Sequence, residues 1–332
     1  MVEAFFSSKL GSDVKLLLEE AIRTSYDLFK IMVPISLLVR ILKVLGLIDY
    51  LGMALRPMME LMGLPGSMGM VWAAAMTNFY AGVAAFTSLV PDANLSVAQV
   101  TVLTTVMLVA HSIPVELRIA QKAGTRMRAM ALIRIGGAFI LGWALFQIYR
   151  IAGYLQDTST TIWVTTTEDV AWLDWVIKEL KNLIMIFCIV VALLFLMKLL
   201  TRLKVIAFLT RTLDPIFRIA GISSKASPIA IVGLTMGLTY GGGLIIQESR
   251  SGNLSQRDVF VTLTLMGLSH GMIEDTLFML ALGGHISGVL WGRALFTVLM
   301  VFTMAKVLAI LPQKSLDRFF FREAIPDHVS SK

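Results

Sequence analysis

The sequence predicts an all-helical, polytopic integral membrane protein built from two inverted repeats, each with transmembrane helices and a re-entrant helical hairpin. Composition, an internal repeat and the distribution of charge lead there. Of 332 residues, 57% are hydrophobic and 15% charged, against about 45–50% and about 25% in a soluble domain. Leu183 to Leu200 and Leu295 to Leu311 are nearly unbroken apolar runs, long enough at about 1.5 Å per residue to cross roughly 30 Å of hydrocarbon.

The repeat is carried by polar and turn residues. Pro57 and Gly63 recur 158 positions later as Pro215 and Gly221, and Tyr80 and Gly82 recur 160 later as Tyr240 and Gly242. Asn94, His111 and Glu116 recur 159 later as Asn253, His270 and Asp275. Chance matching of two apolar stretches would align leucines, not these residues in one order.

Charge orients the two copies. The linker 156–175 carries Asp157, Glu168, Asp169 and Asp174 and no base, which reads as external. Lys198 to Lys225, the Lys122–Arg128 connection and the tail with Lys314, Arg318 and Arg322 are basic, which reads as cytoplasmic. The first unit then starts inside and ends outside, and the second does the reverse, an arrangement that recurs in secondary transporters. Arg40, Lys43 and Arg56 fall on the wrong side of this rule.

Residues 1–27 lack a signal-peptide pattern and read as an amphipathic helix on the membrane face, Lys15, Glu19, Glu20, Arg23 and Asp27 interrupting the apolar positions. The first repeat is expected over 28–150, an external linker over 151–175, the second repeat over 176–312 and a cytoplasmic tail over 313–332. Each repeat is expected to hold an entry span (28–48, 176–200), a surface helix with the proline, and a glycine-interrupted span (67–89, 226–247). A re-entrant hairpin (97–124, 258–284) and an exit span (128–148, 288–311) follow. The hairpin expectation rests on Pro114 and Gly271 just after the two histidines, since proline removes a backbone donor. Broken backbone at membrane depth survives only where protein buries it or a cavity hydrates it.

Ionisable groups within spans are functional candidates because they are costly there. His111 with Ser112 and Glu116, and His270 with Glu274 and Asp275, stand at equivalent places; His270 and Glu274 share a face if the helix continues. His111, His270, Glu274 and Asp275 are suited to hold a borderline divalent cation, or the histidines to relay protons; the bland alternative is hairpin tips whose acid pairs with a base such as Arg118. A second set, Asn78, Tyr80 and Gly82 with Thr239, Tyr240, Gly241, Gly242 and Gly243, marks spans able to unwind and offer backbone groups to a solute; close helix packing is the plain alternative.

The residues Pro57…Gly63-Leu64-Pro65 leading into Met76-Thr77-Asn78-Phe79-Tyr80-Ala81-Gly82, and Pro215…Gly221-Ile222 leading into Leu238-Thr239-Tyr240-Gly241-Gly242-Gly243, resemble the Gate-domain, or nucleoside-recognition, family. That module is shared by concentrative nucleoside transporters, the membrane part of ferrous iron transporter B, and spore maturation proteins A and B. The resemblance spans about 30–148 and 178–311 and implies a transport-like membrane core without fixing its cargo. No phosphate-binding Gly-x-x-x-x-Gly-Lys-Ser/Thr run is present.

The resulting expectation is a gradient-driven permease of a bacterial-type inner membrane, both termini cytoplasmic, moving a divalent metal ion or a nucleoside-like solute. Its partners are the lipid bilayer and that solute or ion, with a homo-oligomer or a partner membrane subunit as further assembly, and no cofactor. The alternative is a non-transporting scaffold or accessory subunit, because fold does not fix function. The net charge of +7 is scattered through juxtamembrane segments and does not form a nucleic-acid patch. No hydrolase or zinc-protease pattern occurs, so the chain is not expected to be an enzyme. The 20 methionines and the lone Cys188 read as apolar packing.

Overall fold

The computed structural model describes residues 9–159, 172–204, 212 and 215–322, and every named element within them is helical. Residues 1–8 of the amino-terminal segment, Glu168 and Asp169 of the linker, Arg211, Asp214 and tail residues 323–332 lie outside them. The helices are α1 (Lys9–Val44), α2 (Leu47–Glu60), α3 (Met68–Thr77), α4 (Phe79–Leu89), α5 (Val97–Val109), α6 (Ile113–Lys122) and α7 (Met127–Ala152) in the first half. The second half has α8 (Trp172–Arg202), α9 (Ser227–Met236), α10 (Leu238–Arg250), α11 (Gln256–Ser269), α12 (Glu274–Ala281), α13 (Ser287–Ile310) and α14 (Gln313–Phe319).

α7, α8 and α13 have the length and apolarity to cross a membrane, as does the broken pair α5–α6 taken together over Val97–Lys122. α1 follows no boundary at residue 27. Ala21, Ser25, Leu28, Met32, Ser36, Val39 and Arg40 are buried at three- and four-residue intervals along one face, so the expected surface helix and entry span form one continuous helix with Pro34 inside it. α2, the segment with Pro57, then turns away by 97°.

Two of the three exceptions to the charge rule meet an acid: Lys43 lies 2.5 Å from Asp92 and Arg56 2.5 Å from Glu60, while Arg40 lies 5.6 Å from the Trp172 ring centre.

The hairpins are not where Pro114 and Gly271 suggested. α5 and α6 continue in nearly one direction through their break, and α11 and α12 likewise do not pack back on each other. It is α3 and α4, and α9 and α10, that fold back arm against arm. Glycine permits this contact: a Cβ on Gly82 would overlap Ala75, and one on Gly241 would overlap the backbone of Gly233. The glycine run 241–243 stays helical inside α10. The turn falls earlier, at Asn78 in the first half and, 159 residues on, at Gly237, whose φ of 84° and ψ of 170° exclude most side chains.

α5 packs on α7, α11 on α13, and α5 on the start of α13, so the broken helices form the centre. Both begin with a capping box, Ser96 with Gln99 and Ser255 with Asp258. At one end of the molecule Val97 N–H donates to Asp157 O (3.0 Å), Ser159 N–H to Leu95 O (2.8 Å) and His285 N–H to Thr101 Oγ1 (3.0 Å). At the other, Arg126 N–H donates to Phe320 O (2.9 Å), Arg322 N–H to Gly124 O (2.8 Å) and Ser249 Oγ to Ala123 O (2.8 Å).

Candidate functional site

An interrupted helix leaves backbone carbonyls without partners, and here each set is met by a buried arginine. α5 ends at Val109, and Arg134 of α7 donates from Nε to Val109 O (3.2 Å) and from Nη2 to His111 O (3.0 Å). α11 ends at Ser269, and Arg293 of α13 donates from Nε to Leu268 O (2.8 Å) and from Nη2 to His270 O (2.8 Å). Arg134 lies within a π-helical turn, Leu132–Gly136, and Arg293 directly follows another, Ser287–Gly292. The wider turn is a departure that often marks functional positions.

Between the arginines the two histidines face each other, Nε2 to Nε2, at 3.0 Å. Each Nδ1 lies against carbonyls of its own helix: His111 against Met107 O (3.2 Å) and Leu108 O (3.0 Å), His270 against Met266 O (2.8 Å). Glu116, in the first turn of α6, puts Oε1 at 3.5 Å from both Nε2 atoms and Oε2 at 2.5 Å from Arg134 Nη1. Both histidines and Glu116 are less than a tenth exposed. Asp275 supplies a carboxylate oxygen that lies within 4.8 Å of the ligand nitrogens of both histidines. Arg293 Nη1 is buried and has no hydrogen-bond partner.

The first hairpin docks on this centre. Ser112 N–H donates to Ala75 O (2.9 Å), Ser112 Oγ accepts from Phe79 N–H (3.2 Å), and the Phe79 ring stacks edge-on against His111 with centroids 5.1 Å apart. Ser112 holds a φ of 46°, uncommon for a residue with a side chain. A cleft of about 40 Å³, bordered by Thr24, Leu28, Tyr80, Glu274, Asp275 and Phe278, opens beside the pair. That volume holds a few water-sized groups.

The Gate family, described as nucleoside recognition, matches residues 25–126 and 183–285. The chain belongs to the Gate family. It is also 27% identical over 288 residues to the uncharacterized membrane protein YvoD of Bacillus subtilis (strain 168), covering 85% of this chain and 91% of that protein. No solved structure matches the chain significantly. With its apolar helices, the protein is a Gate membrane protein.

Of the residues expected at the site, the Gate halves bring together His111, Ser112, Glu116, His270 and Asp275. Tyr80 borders the adjoining cleft, and Asn78 caps α4, its side-chain oxygen accepting from Tyr80 N–H (2.9 Å) and Ala81 N–H (3.4 Å). Gly82 and Gly241 serve packing, and Gly242 lies against Ile119. Tyr240 is 64% exposed, away from the paired histidines; the side chain of Thr239 lies outside the described residues. Glu274 does not share a face with His270, because α11 ends first and the chain turns through Gly271 (φ 58°) before α12 begins. It is exposed on the cleft instead. Arg118 donates to Gln121 (2.5 Å) and is not the partner of Glu116. His285 bonds Ser287 near the end of the molecule, at 2.9 Å, and His328 lies outside the described residues.

Sequence reasoning missed both arginines. The signal was present: Arg134 and Arg293 stand 159 apart, at the offset of the histidines and acids, inside otherwise apolar spans. Phe79 was missed because only the fold-back at Asn78 turns it onto His111.

Proposed function

We propose that the protein is a gradient-driven permease of a bacterial-type inner membrane, with two inverted repeats over about 28–150 and 176–312 that move a small solute or ion past the paired helix breaks. The observation that carries this is the meeting of six ionisable side chains, three from each half at a common offset of 159, where otherwise long apolar helices are interrupted. Such groups at membrane depth are costly and mark ion or substrate paths, and broken helices line binding sites in transporters.

Support for inversion comes from the two ends. The start of α5 sits beside Asp157 and His285, whereas the loop before α11 sits near Ser249 and Ala123 at the opposite end. The second end gathers Lys122, Arg126, Arg250, Arg318 and Arg322, and the first carries Asp157 and an Asp92 paired with Lys43. The positive-inside rule makes the basic end cytoplasmic, and with it both termini. The re-entrant elements are then α3–α4 and α9–α10, whose tips reach the breaks.

Two measurements test this. In a Cys188→Ala background, cysteines at Asn94 and Asn253 are labelled by an impermeant maleimide from opposite faces; labelling from one face would refute inversion. In liposomes the protein moves at least one of a panel of divalent cations and nucleosides down an imposed gradient, and His111→Ala or His270→Ala stops it while the protein still inserts. Absence of flux for the whole panel, with co-purification of a partner, would instead support a non-transporting scaffold.

A further inference from the structure

We infer that the centre takes a divalent transition-metal cation, held by His111 Nε2, His270 Nε2 and Glu116 Oε1, with Asp275 as the ligand that admits and releases it. This deepens the permease reading and rests on it only for the ion's role as cargo.

The argument starts from hydrogen positions. A carbonyl oxygen only accepts, so the Nδ1 atoms set against Met107, Leu108 and Met266 carry the hydrogens. Each Nε2 then presents a lone pair to the other at 3.0 Å, and Glu116 adds an anionic oxygen 3.5 Å from both. With Glu116 ionised, as its contact with Arg134 favours, three acceptors converge, an arrangement that suits a cation.

A proton and a metal ion make different demands. A proton shared by the imidazoles satisfies one edge and draws the carboxylate to about 2.7–2.9 Å of the charged ring. Glu116 instead stands equidistant at 3.5 Å, beyond hydrogen-bonding range. Four-coordinate bonds of about 2.0–2.2 Å separate ligand atoms by about 3.3–3.5 Å. Edges of 3.0, 3.5 and 3.5 Å approach one face of that tetrahedron. The outer contacts agree with it: each imidazole is oriented through Nδ1 by a backbone carbonyl, and the second carboxylate oxygen of Glu116 is held by Arg134, as supporting groups around metals are.

Two imidazoles with carboxylates favour zinc, ferrous iron, cobalt or manganese over magnesium and calcium. Asp275 makes no hydrogen bond to Arg293 Nη1 and borders the cleft, which places it between cleft and centre. Charge sets the strength of binding. Glu116 and Asp275 are offset by Arg134 and Arg293, so the ion brings its own double charge into the membrane interior. That penalty weakens the hold, which suits an ion that must leave again.

Cobalt(II) is the probe. Added to detergent-purified protein, it is expected to give a saturable d–d absorption at one ion per chain, displaced by zinc and untouched by excess magnesium. His111→Ala and His270→Ala, checked by size exclusion for intact folding, each lose it. Zinc X-ray absorption on the unmodified protein, which needs no variant, is expected to find two imidazole nitrogens at about 2.0–2.1 Å. No saturable absorption, absorption retained by both histidine variants, or an oxygen-only shell would overturn the site. Flux on the same preparation separates the two ideas: another solute carried with no metal bound overturns this inference and leaves the permease, whereas cobalt bound but not carried leaves the site and removes its role as cargo.

Discussion

The two helix breaks are built to one plan and finished differently. In each, an arginine 23 residues beyond the histidine donates to two carbonyls of the interrupted helix, one of them the histidine's own. In the first half a glutamate reaches that arginine at 2.5 Å and touches both histidines as well. In the second half the acid is one methylene shorter, and Arg293 Nη1 makes no hydrogen bond. The first hairpin turns on Asn78, which caps its own second arm; the second turns on Gly237, which has no side-chain cap. The acid of the first half is therefore tied into the centre, whereas that of the second stands beside the cleft.

The comparison is broken most severely at the arginines. Arg134→Met strands a buried carboxylate and two carbonyls, and should lower stability by about 3–5 kcal/mol. Arg293→Met strands two carbonyls and removes the base nearest Asp275 without breaking a direct bond to it, and should cost less, about 1–3 kcal/mol. Thermal unfolding in detergent measures both, and equal losses would erase the asymmetry. Next come the hairpins. Gly82→Ala drives a methyl into Ala75 and should cost about 1–3 kcal/mol, whereas Gly243→Ala meets nothing within 4 Å and should gain about 0.5–1 kcal/mol as a better helix former. Smallest is the cap: Asn78→Ala should cost about 1 kcal/mol.

Much of this centre was legible because polar residues inside apolar spans have few reasons to recur in register. The histidine and acid pairs, and the asparagines Asn94 and Asn253 ahead of α5 and α11, were read from their 159-residue offset. The direction of the chain after each break was not. Asn78 and Gly237 interrupt helices no more visibly than Ser112-Ile113-Pro114 does, and which break folds back depends on contacts such as Gly82 against Ala75, between residues seven apart that an unbroken helix would hold away from each other. The tyrosines misled for a related reason. Tyr80 and Tyr240 match at an offset of 160, but the turns align at 159, so Tyr80 borders the cleft while Tyr240 faces outward.

The central claim is that the two breaks form one site and not two. A double-mutant cycle on His111→Ala and His270→Ala, read as cation flux in liposomes, tests it most directly. Residues acting as a unit are strongly non-additive, so either single variant should remove nearly all flux and the double should be no worse. Partial losses that multiply in the double variant would contradict the account.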